Sequence, residues 1–445
     1  MKKFSILVIV LLLASLFLAA CGGQGEEANT GTGNTGGDTG ANTGEDTGTG
    51  TQAEEVTLLV GHSISRSGNY EANSGKQFRG FDLWMEDVNN AGGVVLSDGT
   101  VVKFTSVSYD DESSSDRVQE LYTRLSTEDN VDVLISPYSS GLTKSAGVIA
   151  EQYGKIMIAA GAASDSNMNL GFTRVYQLYT PSSRYLNGAV DLLKANAPDV
   201  TKVAFVFEND QFAIDVVNVA SEYAKSLGYE VVLNEGYDSD TADFGPFINK
   251  IVESGAEAVL GGGHTTDGQT FARQFYEKGV DIGFFALLVA PPEPEFAELG
   301  DAALGIVGPS QWEPLAAFSE ESAKSAGYSW IGPSSKDFTA EYEAAYDETP
   351  SYHAAGGYAA GLMLQQAIIN ADSTDLDAIN TAMENLEVMT FYGYIKFDTS
   401  AEWHGLQIGH SMVYVQWQSD ESGGLIKEMV WPAEGASASL LYPIP

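Results

Sequence analysis

From Val56 onward the chain alternates short apolar runs with longer stretches of helical periodicity, and this alternation constrains its fold most. The runs are "VTLLVGHSIS", "VKFTSVSYDD", "DVLISPYSS" and "KIMIAAGAAS", then "KVAFVFEND", "YEVVLNEGY", "AEAVLGGGH", "IGFFALLVA" and "LGIVGPSQW". Strands alternating with helices imply parallel sheets covered on both faces. Gly75 to Ala91 shows what lies between them: Phe78, Phe81, Trp84, Met85 and Val88 recur at helical spacing, and Gly92-Gly93 closes the stretch as a helix stop. The expected class is α/β.

The runs fall into two groups of four or five, divided near Tyr179-Thr180-Pro181, so two open sheets in two lobes are expected. In such sheets a ligand sits beyond the carboxyl ends of the strands. Those ends are rich in small polar residues, at Ser65 to Gly68, Tyr138 to Gly141, Gly161 to Ser164 and Gly263 to Thr266. Ser139 and Ser140 open a helical stretch, "GLTKSAGVIAEQYG", where hydroxyls and free backbone N–H groups suit a carboxylate. Ordinary N-capping by serine accounts for the same residues. Tyr70, Tyr138, Phe212 and Trp312 are candidate pocket walls, and core packing is the other use of such aromatics.

His264 and Thr265, with Asp267 close by, invite comparison with a catalytic triad. One strand-to-helix turn cannot easily present a nucleophile and its base together. No Gly-x-Ser-x-Gly elbow, phosphate loop or His-Glu-x-x-His pair occurs. Neither an enzyme nor a cofactor is expected. One cysteine and five scattered histidines leave no recognisable metal motif.

The amino terminus reads differently. Lys2 and Lys3 precede an apolar run, Phe4 to Ala20, interrupted only by Ser5 and Ser15. That order is a secretory signal, and the run is short against the roughly 20 residues a membrane span needs. Leu18-Ala19-Ala20-Cys21 resembles a bacterial lipobox, in which Cys21 would carry lipid. Residues 21–55 are otherwise Gly, Thr, Asn and acids, a solvated tether with little to bury. Gly31, Gly33 and Gly36 fit a dinucleotide fingerprint, but without the strand and helix that give it meaning. The net charge of -39, from 22 Lys+Arg against 61 Asp+Glu, argues against nucleic acid or a direct anionic membrane contact as partner.

Together "GHSISRSGNY", "FRGFDLWMEDVNNAGGV", "YDDESSSDRVQELYTRL", "LISPYSSGLTKSAGVIAEQYGKIMIAAGAAS" and "DFGPFINKIVESGAEAVLGGG" resemble the type I periplasmic-binding fold, in particular the branched-chain amino acid receptors of ABC importers. The resemblance runs from Val56 to about Trp417. It implies two Rossmann-like lobes joined by a three-stranded hinge, with lobe one at 56–179 plus 312–392 and lobe two at 180–311 plus 393–445. It implies a ligand carboxylate on Ser140, Gly161 and Ala163 or Ser164, with Tyr70 and Phe212 as aromatic walls, and permease and ATPase subunits as partners.

One departure stands out. Amino acid receptors of this family place an acid after a second-lobe strand to hold the ligand ammonium, and that position falls at Leu288 or Val289 here. Glu293 and Glu295 would serve only if the loop were shifted. A ligand without an amine therefore stays open beside an amino acid. Capture for transport leads as the expected function, with ligand sensing through a separate receptor as the alternative.

Overall fold

The computed structural model describes residues 54–316 and 318–445. Cys21, the signal segment and almost all of the tether lie outside them. The first half of the folded part runs β1 (Glu55–Ile64), α1 (Glu71–Asn90), β2 (Val94–Val95), β3 (Val101–Asp110), α2 (Ser115–Thr127), β4 (Val133–Ile135), α3 (Ser140–Gln152), β5 (Ile156–Ala159), α4 (Asp165–Met168) and β6 (Val175–Gln177). After α5 (Asn187–Asn196) come β7 (Lys202–Glu208), α6 (Gln211–Ser226), β8 (Glu230–Tyr237), α7 (Gly245–Ser254), β9 (Ala258–Gly262), α8 (Thr265–Glu277), β10 (Phe284–Leu287) and β11 (Val307–Ser310). Helices α9 (Glu320–Ala326), α10 (Ser335–Tyr346), α11 (Tyr352–Ala371) and α12 (Leu376–Glu384) follow, then β12 (Glu387–Thr390), β13 (Gly393–Lys396), β14 (Val413–Ser419) and β15 (Leu425–Trp431).

The strands form a six-stranded sheet, β2-β3-β1-β4-β5-β6, a seven-stranded sheet, β15-β14-β11-β10-β9-β7-β8, and the ribbon β12-β13. Both large sheets are parallel except at one edge, where β2 runs antiparallel to β3 and β14 antiparallel to β11 and β15. Every residue of β4 and β5 is buried, as a central parallel strand under helices on both faces requires. The sheets are larger than the expected four or five strands because two-residue β2, three-residue β6 and the late strands β14 and β15 extend them. The chain passes between the two sheets after β6, after β11 and again before β14.

Helix α1 begins one turn before the Gly75 that periodicity suggested, with Ser74 N–H on the Tyr70 carbonyl. It ends at the expected place, Gly92 and Gly93 both adopting positive φ. Its partner is α11, buried along almost its whole first three turns. The two backbones touch: a Cβ on Gly357 would lie 1.8 Å from the Gln77 carbonyl oxygen, and one on Gly80 1.9 Å from that of Ala354. This contact fixes α11 against the first sheet, with His353 near its start beneath the carboxyl ends of the strands.

Candidate functional site

The carboxyl end of β4 leads through Tyr138 into α3. Ser139 caps that helix, its Oγ accepting from Leu142 N–H at 3.3 Å, and it does so at a φ of 86°, where a side chain is strained. Its own N–H donates to the Gly161 carbonyl at 3.2 Å, which ties the turn to the neighbouring strand end. One residue on, Ser140 Oγ accepts from Ala163 N–H and Ser164 N–H, both at 3.2 Å. Two backbone donors and a hydroxyl therefore converge at the start of α3, where the helix dipole also favours negative charge. Ser139 does cap the helix, as the bland reading had it, while Ser140 faces the next strand end. Gly161 leaves no room for a side chain, because a Cβ there would lie 2.0 Å from Gln77 Oε1.

The opposite wall comes from the other sheet. Phe212 stands in the first turn of α6, and His264 caps α8 at the end of β9. The His264 ring lies 4.9 Å from that of Tyr70, and 5.9 Å from both Tyr138 and Phe212. Its Nδ1–H donates to Glu208 Oε2 at 2.6 Å, with both side chains buried. Burial alone would push the imidazole pKa down, but the carboxylate of Glu208, helped by Asp210 and Asp267, raises it to about 9. His264 is a buried cation at neutral pH.

Tyr138, Ser139, Ser140, Gly161, Ala163, Phe212 and His264 thus line one cavity, together with Tyr179, Tyr185, Val289 and Tyr352. The space between them is tight, about 10 Å³ for the centre of a water molecule, close to what one water needs. Bonds between the two sides hold it closed. Asn73 Nδ2 donates to Thr265 Oγ1 at 3.0 Å, and Lys76 Nζ lies 2.5 Å from both Glu293 and Glu295. Glu293 also accepts from His353 Nδ1 at 2.7 Å, and His353 Nε2 meets the Tyr138 hydroxyl at 3.1 Å.

The remaining candidates lie beside the cavity or away from it. Tyr70 packs behind Tyr138 and His264, Ser164 stands at the N-terminus of α4 with a buried Oγ that makes no hydrogen bond among the described residues, and Thr265 serves the bond to Asn73. Leu288 is buried in the core, its N–H on the Gly261 carbonyl, and Val289 takes the wall position instead. Trp312 does not line the cavity: its indole stacks edge-on to Phe338 and Phe391, with Nε1 on Ser335 Oγ at 3.3 Å.

Tyr179, Tyr185, Tyr352 and Glu208 were missed. Only "FEND" after the β7 run offered a signal, an acid at a strand end. Glu208, Asp210 and His264 also bring three possible metal-ligating atoms within 4.8 Å of one another, a group the scattered histidines gave no hint of. Nδ1 of His264 is already bonded to Glu208, so the arrangement is that of an ion pair. Among the described residues no hydrogen bond joins His264 to Ser139 or Ser140, so the pair is not extended to a nucleophile.

The two-lobed α/β fold agrees with the comparisons. The Leu/Ile/Val-binding protein homolog 7 of Brucella suis is 24% identical over 406 residues, spanning 88% of this chain and 96% of that protein. The branched-chain amino acid transporter substrate-binding protein of Streptococcus pneumoniae, solved with isoleucine, superposes with a TM-score of 0.70 at 20% identity, covering 85% of this chain and all of the other. A solute-binding protein of an ABC transporter from R. palustris, solved with benzoate, gives 0.67 at 19% identity, covering 87% and 98%. A family profile described as periplasmic binding protein matches residues 57–423, and the chain belongs to that family.

Proposed function

We propose that this chain is the solute-binding component of an ABC importer, exported and held at the outer face of the membrane by lipid on Cys21, or periplasmic where an outer membrane exists. It captures a small polar ligand, an amino acid or another carboxylate or amide, between two lobes, at 56–179 plus 312–392 and at 180–311 plus 393–445. It delivers the ligand to permease and ATPase subunits, without making or breaking a bond.

One observation carries this reading: Ser140 Oγ and the N–H groups of Ala163 and Ser164 converge in a cavity walled by both lobes. A ligand carboxylate would accept from the two N–H groups and from the Ser140 hydroxyl together, and closure would desolvate it. The relatives' names and the ligands of the solved neighbours, isoleucine and benzoate, support a carboxylate.

The test is a thermal-shift screen of the protein against aliphatic amino acids, aromatic carboxylates, hydroxy and oxo acids, amides and urea. A bound ligand raises the melting temperature by mass action, and Ser140→Ala should remove the shift for a carboxylate. An undiminished shift in that variant would sink the proposed seat.

A further inference from the structure

The polar groups around the cavity are of one kind. Serine and tyrosine hydroxyls line it, and the N–H groups of Ala163 and Ser164 point to Ser140 at one end. His264 forms part of the opposite wall, while no Asp, Glu, Lys or Arg contributes to the lining. Glu208 on β7, Asp210 before α6 and Asp267 on α8 lie behind the imidazole and hold it charged, and Glu293, behind His353 and the lining tyrosines, is already paired with Lys76 and that histidine. Tyr70, Tyr138 and Phe212 close its other sides.

Tyr179 lines the same cavity, and its buried hydroxyl has no hydrogen-bond partner among the described residues. A buried donor left unpaired is costly, so such an atom marks where an acceptor belongs. An ammonium brought into this lining would meet the imidazolium of His264 and the apolar side chain of Val289. It would be desolvated without an unpaired counter-charge, because Glu293 is taken up by Lys76 and His353.

We infer that the ligand is a short carboxylate without an amine, bearing a 2-oxo or 2-hydroxy oxygen: its carboxylate takes the donors at Ser140, Ala163 and Ser164, and its second oxygen accepts from Tyr179 Oη–H and a ring N–H of His264. This rests on the cavity being the ligand site. It narrows the class from carboxylates in general to those that supply acceptors at both ends, and makes His264 and Tyr179 the residues that discriminate. A site built of donors rejects an analogue that brings more donors, because its own groups are then left unpaired.

The decisive measurement is calorimetric titration of the full-length protein in detergent with matched acids differing only at carbon 2. Pyruvate, L-lactate and L-alanine form one set; 4-methyl-2-oxopentanoate and L-leucine form another. The oxo or hydroxy acid should bind roughly tenfold or more tightly than its amino counterpart. Tyr179→Phe and His264→Gln should each erase most of that preference while the melting curve shows a folded protein.

An amino acid that binds as tightly as its oxo partner overturns the inference and leaves the cavity reading intact, provided Ser140→Ala weakens it. Binding that neither Ser140→Ala nor His264→Gln alters places the ligand elsewhere and overturns both. So does a failure of every acid to bind. A preference that survives in both Tyr179→Phe and His264→Gln overturns the roles of these two residues.

Discussion

Lys76 on α1 and Glu293 in the loop after β10 meet at 2.5 Å across the two lobes, the carboxylate fully buried and the lysine nearly so. Burial alone would raise the Glu293 pKa; Lys76 and His353 together hold it far below the usual carboxylate range. Because His353 also touches Tyr138 in the cavity wall, this ion pair ties closure to the lining of the cavity. Glu293→Gln leaves Lys76 only Glu295 as partner and takes the carboxylate from His353, at a cost of about 2 kcal/mol. The closed form should lose ground to an open one, read as a larger radius of gyration by small-angle scattering and a weaker ligand affinity. Scattering identical to the parent protein's would show that the pair does not govern closure.

The contact between α1 and α11 makes a second prediction. Gly357→Ala drives a methyl into the Gln77 carbonyl, with 1.8 Å between them before relaxation, and both helices are too buried to separate freely. Overpacking of this kind costs about 3 kcal/mol. Gly75, on the same α1, has only Arg79 Nη1 near its imagined Cβ, at 3.5 Å, so Gly75→Ala should be neutral or stabilising by up to about 1 kcal/mol. Urea denaturation of the two variants should separate them. Equal midpoints would mean that α11 can shift away from α1.

The reach of the sequence follows from which residues are local. Strand ends are local, so Tyr138 to Ser140, Gly161 to Ser164 and His264 were legible from the rule that ligands sit beyond the carboxyl ends of parallel strands. Trp312 obeys the same rule on paper, yet its indole turns into the Phe338 and Phe391 cluster, and nothing in "SQWEP" says which way it turns. Tyr185 and Tyr352 share a hydroxyl contact at 3.3 Å across 167 residues of chain. That meeting is made by the crossover after β6 and by the docking of α11, so periodicity had no means of finding it. The acid in "FEND" does not by itself mark Glu208 as a site residue, because its partner, His264, belongs to another strand end.

Cys21 carries a prediction about location. If lipid on this residue is what holds the protein to the membrane, Cys21→Ser should move it from the membrane fraction to the soluble one, because no other single feature of residues 21–55 is apolar enough to replace an acyl anchor. Metabolic labelling with a fatty-acid analogue should mark the parent protein and spare the variant. A variant that stays in the membrane fraction would point to an uncleaved amino-terminal segment as the anchor.

Stability should fall on both sides of a maximum near pH 6.5, for different reasons. Burial pushes His62 down to about 3 and His410 down to about 4, from 6.5 in the unfolded chain. Between those values the unfolded chain binds protons that the folded one does not, so acidification below about 6.5 favours unfolding. His264 acts in the opposite sense: its folded pKa is raised to about 9, so its contribution is fully present below 6.5 and is lost as the pH climbs through 9. Melting temperatures between pH 4 and pH 9, below the range in which the buried tyrosines titrate in the unfolded chain, should trace this dome in the parent protein. In His264→Gln the alkaline side should flatten, while the acid side keeps the part of its slope that His62 and His410 supply and loses the part that His264 gives to Glu208. An alkaline limb that survives the substitution would mean that Glu208 does not hold the imidazole charged, and the donor character assigned to that wall of the cavity would fall with it.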